Sequence, residues 1–179
     1  MNERLPSRET AFELLRKSGC SPNVIRHCET VAKLAVDIAK EAEKNGSKVN
    51  VELVEIGALL HDIGRSRTHD VDHGLAGAKI SESLGMPEPI VSIIKRHIGG
   101  GISRKEAEKL GWPEDVYVPE TLEEKIVCYA DKRVAGSRII PIEETVKEYA
   151  ERVTPEATER IRKLHLEIVR LAGDCPCLQ

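Results

Sequence analysis

The segment Val51–Asp62 constrains the fold more than any other part of the chain. It reads VELVEIGALLHD, and only two glutamates interrupt its apolar surface. Asn50 is placed to cap this segment as a helix, and Gly64 is placed to end it. Because a helix that is apolar nearly all round needs protein on every side, the segment predicts a helix at the centre of a bundle. The same helix ends in the polar pair His61-Asp62, which requires an explanation.

The rest of the chain repeats the helical pattern. Apolar residues recur at helical spacing along residues 24–42, and polar side chains cover the opposite face. No alternating segment of useful length predicts a strand, and the loop Gly111–Pro119 is too short to divide domains. We expect an all-α helical bundle that forms one domain over residues 1–179, with core motifs in 21–138 and C-terminal helices in 141–172 packed on them. Caps, capping boxes or prolines predict helix starts at Ser7, Ser21-Pro22, Asn50, Ser103–Glu106, Thr121–Glu124, Pro141 and Thr154-Pro155.

Charge and composition limit the class of protein. The formal net charge is −3, so no overall positive field attracts nucleic acid or an anionic membrane. No apolar run reaches transmembrane length, and the N-terminal residues lack the apolar core of a signal peptide. We therefore expect a cytoplasmic protein without a membrane or nucleic-acid partner. The sequence does not predict an oligomeric state.

The cysteines do not form a recognisable framework. They are five in number and scattered, which is not the pattern of a disulfide-stabilised domain. Only Cys175 and Cys177 lie close together. This pair can bind a metal or oxidise, but its weak spacing favours an inert tail.

Four polar residues lie on the apolar faces of predicted helices. His27, His61, His97 and Asp131 each stand among apolar residues at helical spacing, so all four are predicted to point inward. For any one of them, a core histidine bonded to the backbone or a capping carboxylate is the commoner explanation. Together they favour a metal site, because a buried carboxylate needs a compensating cation and imidazole is a common ligand for divalent metals. The C-terminal end of the central helix adds negative partial charge at that place.

The order of these residues resembles the HD superfamily of metal-dependent phosphohydrolases. The motif HDIG at His61–Gly64 stands between an earlier histidine and a final aspartate, and the resemblance covers residues 21–138. It implies an HD-domain-like helical bundle with a divalent metal in its core. The residues that match the ligands of this metal are His27, His61, Asp62 and Asp131.

The resemblance extends to family members that hold two metals. Such members add two histidines, which correspond to His73 and His97, and Asp62 would bridge the ions. The residues after His73 and the segment Tyr129–Arg138 are similar to motifs of the symmetrical diadenosine tetraphosphate hydrolases, and this similarity favours His73 over His69 as the ligand. The adjacent histidine pair and GYP motif of cyclic-di-GMP phosphodiesterases are absent from the sequence. A basic segment, IGRSR, replaces the acidic pair of single-metal nucleotide phosphatases.

Basic residues flank the proposed ligands. Two metals that share a carboxylate lie about 3.5–4 Å apart and activate a water for attack on phosphorus. The expected phosphate contacts are Arg65, Arg67, Lys132 and Arg133. Among the flanking residues and ligands, Asp62, Arg65 and Lys132 are expected to act in catalysis, although an ordinary ion pair is an equal alternative for each basic residue. Three glycines at 99–101 predict a flexible rim where backbone approaches a ligand, and an ordinary loop explains them nearly as well.

Metal, substrate and function follow from the same resemblance. We expect two divalent ions, with Fe or Mn favoured and Zn, Co, Ni or Mg as alternatives. The expected function is hydrolysis of a nucleotide or dinucleotide polyphosphate. The alternatives are a ligand-sensing module without turnover, a single-metal nucleotide phosphatase or phosphodiesterase, and a purely structural bundle. Only five aromatic residues are available to stack on a base: Phe12, Trp112, Tyr117, Tyr129 and Tyr149.

Overall fold

The computed structural model describes residues 4–173 and 175–178. The predicted domain of residues 1–179 also includes residues 1–3, 174 and 179, which lie outside the described residues. Within the described part the chain is almost entirely helical, so the all-α prediction is confirmed. The helices are α1 (Arg8–Ser18), α2 (Pro22–Lys44), α3 (Val51–Leu60), α4 (His73–Ser83), α5 (Glu88–Arg96), α6 (Arg104–Leu110), α7 (Leu122–Lys132), α8 (Ile142–Arg152) and α9 (Pro155–Ala172).

The predicted helix starts are confirmed. At six of them a side-chain oxygen accepts a hydrogen bond from the backbone N–H three residues later, and such a cap stabilises a helix by about 1 kcal/mol. Both predicted capping boxes are present, at Ser103–Glu106 and at Thr121–Glu124. The six capping residues are Ser7, Ser21, Asn50, Ser103, Thr121 and Thr154.

Helix α3 lies at the centre of the bundle, as its sequence predicts. It contacts α1, α2, α5 and α7, and its apolar side chains Val54, Leu59 and Leu60 are fully buried. Helix α2 packs on α3, α7 and α9, while α4 packs on α5. The apolar cluster at the centre includes residues from α1 through to Cys175.

Gly64 has a different role from the predicted helix stop. Helix α3 already ends at Leu60, and the chain continues through a short 3₁₀ helix, Ile63–Ser66. A Cβ atom at Gly64 would lie 1.9 Å from the carbonyl oxygen of His73. This glycine allows the first turn of α4 to pass close to the HDIG turn. The prediction that Gly64 ends the central helix was therefore wrong.

Two features near the C-terminal part were not predicted. A hairpin of two short strands, β1 (Val134–Ala135) and β2 (Arg138–Ile139), follows α7. After α9, Cys175 and Cys177 are joined by a disulfide, which corrects the preference for an inert tail. The other three cysteines are buried thiols. In the described residues, no helix is both long and apolar enough to cross a lipid bilayer.

Candidate metal centre

Four imidazole rings share one hydrogen-bonding arrangement. Each ring nitrogen Nδ1 lies within hydrogen-bond distance of a backbone carbonyl. Because a carbonyl oxygen only accepts, Nδ1 carries a proton, so Nε2 is the nitrogen whose lone pair is available to a cation when the ring is neutral. The pairs are His27 with Gly136 (2.8 Å), His61 with Ala58 (2.7 Å), His73 with Asp70 (2.6 Å) and His97 with Ile94 (2.7 Å).

Helix ends position most of these rings. His61 and His97 directly follow the last residues of α3 and α5, and their Nδ1 atoms bond to the carbonyls three residues earlier. Carbonyls in the last turn of a helix lack helical partners, so they are available to hold a ring. His73 is the first residue of α4, whereas His27 reaches from α2 to the hairpin. The backbone path therefore sets the orientation of all four rings.

The carboxylate of Asp62 lies between two pairs of histidines. Its Oδ1 atom is 3.2 Å from Nε2 of His73 and 3.4 Å from Nε2 of His97. Its Oδ2 atom is 3.8 Å from Nε2 of His27 and 3.7 Å from Nε2 of His61. The two oxygens of one buried carboxylate thus face two different ligand sets.

Asp131 completes one of these sets. Its Oδ1 atom lies 2.9 Å from Nε2 of His27 and 3.5 Å from Nε2 of His61. We call His27, His61 and Asp131 the core half of the centre, and His73 with His97 the loop half. The loop half has no carboxylate of its own and depends on Asp62.

The donor atoms fit a bound cation. His61 Nε2 and Asp62 Oδ1 are buried without a hydrogen-bond partner, and each such atom costs about 1–3 kcal/mol if it stays unsatisfied. Nε2 of His73 and Nε2 of His97 lie only 3.1 Å apart, and neither can donate to the other while both rings are neutral with the proton on Nδ1. The ligand atoms of His27, His61 and Asp131 lie within 4.8 Å of one another, as do those of His61, Asp62 and His97. Nitrogen and carboxylate donors in this number suit a divalent transition metal.

The two halves differ in their electrostatics. Burial opposes a charge on His61, but Asp62, Cys28 and Asp131 together outweigh burial and raise the pKa of His61 well above its usual value. Burial lowers the pKa of His97 to about 4, so this ring is neutral at pH 7. Burial also acts against ionised Asp62, yet the neighbouring imidazoles hold the pKa of its carboxyl well below the usual range. Positive charge is therefore favoured most strongly in the core half.

Two of the predicted phosphate contacts lie at the centre. Arg65 donates from Nε to Asp62 Oδ2 at 2.6 Å, and its side chain remains 30 % exposed. Lys132 is buried and pairs with Asp131. Burial opposes its ammonium form, but Asp131, Tyr149 and Cys128 together outweigh burial and raise the pKa of Lys132. Arg67 is exposed and forms no ion pair with the described residues, so its role stays a prediction.

Arg133 corrects the sequence-based prediction of a phosphate contact. Its side chain is buried, and Nε donates to the carbonyl of Ile140 at 2.5 Å. A further nitrogen donates to the hydroxyl of Tyr129 at 3.1 Å and to the carbonyl of Leu178 at 3.3 Å. Helix α7 ends between Lys132 and Arg133, so these neighbours in sequence do not share a role. Arg133 joins α7, the strand after it and the C-terminal segment.

The remaining histidines lie outside the centre. His69 is exposed, and only its carbonyl approaches the site, where Arg65 donates to it at 3.4 Å. The structure therefore brings His73 and not His69 to Asp62. His165 in α9 forms a hydrogen bond of 2.9 Å between Nδ1 and the hydroxyl of Tyr129. This contact links α9 to α7.

The glycine segment 99–101 packs against α9, and its predicted flexibility stays a prediction. A Cβ atom at Gly100 would lie 2.9 Å from the backbone nitrogen of Ile161, so glycine is needed where the segment meets α9. Arg160 of α9 donates from Nε to the carbonyl of Gly101 at 3.1 Å and pairs with Glu106 at 2.6 Å. Sequence reasoning missed Arg160, because no local pattern links α9 to this segment.

A cavity of about 540 Å³ adjoins the centre. His73 forms part of its wall, together with the glycine segment, α6 and the facing ends of α8 and α9. Tyr149 of α8 lines it, and the Nζ atom of Lys132 lies 5.9 Å from the centre of the Tyr149 ring. No sequence pattern distinguishes Tyr149 from the other four aromatic residues.

Comparison with known proteins identifies the family. The model of the HD domain family matches residues 24–136, which is more than half of the chain. The chain belongs to the HD domain family. The predicted family is thereby confirmed, and the match ends before α8 and α9. HD domain membership implies binding of a divalent metal, and the cluster at Asp62 is able to hold one.

Solved structures and curated relatives agree with an HD fold. The HD domain of the phosphodiesterase PgpH from L. monocytogenes aligns with a TM-score of 0.55 at 23 % identity, covering 89 % of this chain and 97 % of that one. An uncharacterized protein of Methanocaldococcus jannaschii is 46 % identical over 145 residues, covering 81 % of this chain and 85 % of its relative.

Two further groups of relatives are longer proteins. The tRNA (cytidine(56)-2'-O)-methyltransferase of Thermoplasma volcanium is 42 % identical over 169 residues, which are 94 % of this chain and 48 % of that enzyme. Ribonuclease Y of Acidothermus cellulolyticus is 31 % identical over 133 residues, or 73 % of this chain and 23 % of that protein. The chain thus spans about half of the first protein and under a quarter of the second.

Proposed function

We propose that this HD protein is a metal-dependent phosphohydrolase that acts on a nucleotide or dinucleotide polyphosphate. One observation carries the proposal. The two oxygens of the Asp62 carboxylate face two separate pairs of imidazole nitrogens, and each of those nitrogens offers a lone pair to a cation when its ring is neutral. A purely structural role does not account for this arrangement, because buried lone pairs facing one another are unfavourable without a cation.

Residues of this chain would hold two ions. His27, His61, Asp62 and Asp131 would hold the first, and His73, His97 and the second oxygen of Asp62 would hold the other. A divalent ion in such a site lowers the pKa of a coordinated water and neutralises charge on a phosphoryl group. The resemblance to two-metal HD proteins favours Fe or Mn, with Zn, Co or Ni next, and the imidazole donors suit Mg least.

Two cationic side chains would assist the substrate. Arg65 is oriented by its bond to Asp62 and still exposes part of its guanidinium, which matches the geometry of phosphate oxygens. Lys132 is held by Asp131 and remains protonated at neutral pH, so it would offset negative charge that develops at phosphorus. Arg67 would contact a more distant phosphate from its exposed position.

The test combines metal analysis with a substrate screen. The protein is purified without added metal, its metal content is measured, and phosphate release is followed after loading with Mn²⁺ or with Fe²⁺. The screen covers nucleoside mono-, di- and triphosphates, cyclic dinucleotides and dinucleoside polyphosphates. We expect about two ions per chain and turnover of at least one class.

Matched variants separate the centre from the scaffold. Asp62→Ala should remove both metal and turnover, whereas Asp37→Ala, on the exposed face of α2, should remove neither. Binding of a nucleotide without hydrolysis in every metal form would overturn the proposal in favour of a sensing module. One ion per chain in the active protein would support the single-metal phosphatase or phosphodiesterase instead.

RNA is the second candidate substrate. It is favoured by the names of two groups of relatives, the tRNA methyltransferases and ribonuclease Y. The net charge of −3 weighs against it, because backbone contacts to RNA require a basic surface. Short RNA oligonucleotides therefore belong in the same screen, and cleavage of RNA in preference to all nucleotides would replace the first proposal.

A further inference from the structure

The cavity beside His73 has a composition that the metal centre does not require. Seven large hydrophobic side chains are exposed in the described part of the chain, and three of them line this one cavity. They are Val71 before α4, Leu110 at the end of α6, and Val153 between α8 and α9. Exposed apolar side chains that gather at one concave place mark a ligand site more often than a solvated surface.

We propose that this cavity binds the nucleoside part of a phosphate substrate, with Tyr149 and the start of α9 as determinants of specificity. The proposal rests on the proposed phosphohydrolase function. Its volume of about 540 Å³ lies within the range of about 300–1,000 Å³ that is usual for small-molecule sites. Because His73 belongs to both the cavity wall and the loop half, a group in the cavity is next to a phosphate at the centre.

Tyr149 lies where the cavity meets the phosphate end. Its ring is partly buried, lies near the Lys132 ammonium and runs alongside the glycine segment, where a Cβ at Gly99 would be 3.8 Å from its Cε1 atom. An aromatic face at this position can stack on a base while the attached phosphate reaches Lys132 and the metals. Stacking of a base on an aromatic ring contributes about 1–3 kcal/mol.

The mixture of wall and rim fits a nucleoside better than a purely apolar group. A base needs apolar surfaces for its faces and polar groups for its edges. The walls supply Val71, Ile98 and Val153, while the rim carries Thr154 and the exposed ion pair between Arg152 and Glu148 at 2.7 Å. A lipid chain would leave these rim groups without partners.

The specificity determinants lie outside the matched HD segment. Tyr149, Val153 and Ala157 line the cavity from α8 and α9, whereas the family match ends at residue 136. The metal centre and the cavity are therefore built by different parts of the chain. HD proteins with the same centre can accept different substrates if their C-terminal helices differ.

Calorimetric binding tests the cavity independently of turnover. The Mn²⁺-loaded protein is titrated with AMP, GMP, CMP and UMP, and with ribose 5-phosphate as the probe that lacks a base. The metal-free protein is titrated with the four nucleosides and with ribose. We expect at least one nucleotide to bind at least 10-fold more tightly than ribose 5-phosphate, and the matching nucleoside to bind the metal-free protein more tightly than ribose.

Two variants and a control locate the binding site. Ala157→Phe would fill the cavity and erase the preference for the base, whereas Ala150→Phe, on the other side of α8, would keep it. Val153→Asp places a charge on an exposed part of the cavity wall and should weaken base binding even if the first variant folds poorly. Thermal unfolding and metal content show whether each variant is folded.

The outcomes distinguish this proposal from the proposed function. Equal binding of nucleotides and ribose 5-phosphate would overturn the nucleoside site, even in an active phosphohydrolase. An unchanged base preference in both Ala157→Phe and Val153→Asp would also overturn it. A base preference that these variants remove, in a protein that hydrolyses nothing, would support the cavity and count against the function.

Discussion

The core half and the loop half of the centre hold the same ring type in different surroundings. In the core half, His27 and His61 face two carboxylates, because Asp131 is added to the shared Asp62. In the loop half, His73 and His97 share a single oxygen of Asp62. The core half should therefore bind a cation more tightly than the loop half, since two carboxylates face it and only one faces the loop half.

The largest expected effect comes from the residue that both halves share. Asp62→Asn keeps the shape of the side chain but removes its charge, so both sites should lose metal. We expect kcat/KM to fall by about 10³-fold, the order found when a single strong electrostatic contact to a transition state is removed. Elemental analysis and steady-state kinetics measure both quantities, with Asp37→Asn as the control. Retention of one ion with near-normal turnover would mean that the halves are independent.

Protons distinguish the halves in the metal-free protein. The pKa of His97 is lowered from 6.5 to about 4 in the folded protein. Between pH 4 and pH 6.5 the unfolded chain therefore binds more protons than the folded chain, and the free energy of unfolding rises with pH. This shift corresponds to about 3 kcal/mol. His61 has its pKa raised, so its contribution is complete below pH 6.5 and is lost as pH rises through the folded-state pKa. Denaturant unfolding should therefore show maximal stability near pH 6.5.

Metal changes the alkaline side of this profile. A bound metal ion requires His61 to be neutral. Loading the protein with metal should therefore remove the decrease in the free energy of unfolding above pH 6.5. His97→Gln should flatten the acidic side of the profile alone, and His61→Gln the alkaline side alone. Identical pH profiles for the two variants would contradict the electrostatic difference between the halves.

Removing one ligand from each half compares their affinities. Asp131→Asn should raise the metal dissociation constant of the core half, the tighter site, by about 100-fold. His97→Gln should raise only that of the loop half, the weaker site, by about 10-fold. Competition with a chelator of known affinity measures both constants. Loss of the tighter ion in His97→Gln would reverse the assignment.

The smallest expected effect concerns the support of the loop half. Arg160 holds the carbonyl of Gly101, which lies four residues after His97. Arg160→Gln should raise KM by about 3- to 5-fold through a loss of about 1 kcal/mol, because its ion pair with Glu106 is partly exposed. Metal content should not change. Arg162→Gln, on the exposed face of α9, is the matched control.

Much of the scaffold was predictable because its signals are local. Capping residues and apolar periodicity depend on neighbours within one helix, so the helix starts and the buried α3 followed from the sequence. The inward positions of His27, His61, His97 and Asp131 followed from the same periodicity. Their assembly into a metal centre required the resemblance to HD proteins, since helix periods do not give the distance between helices.

What the sequence did not reveal depends on contacts between distant segments. Arg133 stands beside Lys132 in the chain, yet the end of α7 turns it toward Ile140 and Leu178. Gly64 was expected to end a helix, but the close approach of α4 explains it. The cavity needs α8 and α9 to meet the glycine segment, and no motif encodes that meeting.

The anchoring of each imidazole to a main-chain carbonyl has a consequence for engineering. The orientation of the rings is set by the positions of backbone carbonyls and not by surrounding side chains, which can be replaced. The outer faces of the helices can therefore be redesigned extensively, for solubility or for attachment to a surface, without retuning the rings. A displaced helix end, in contrast, would misalign a ring even if every neighbouring side chain stayed the same.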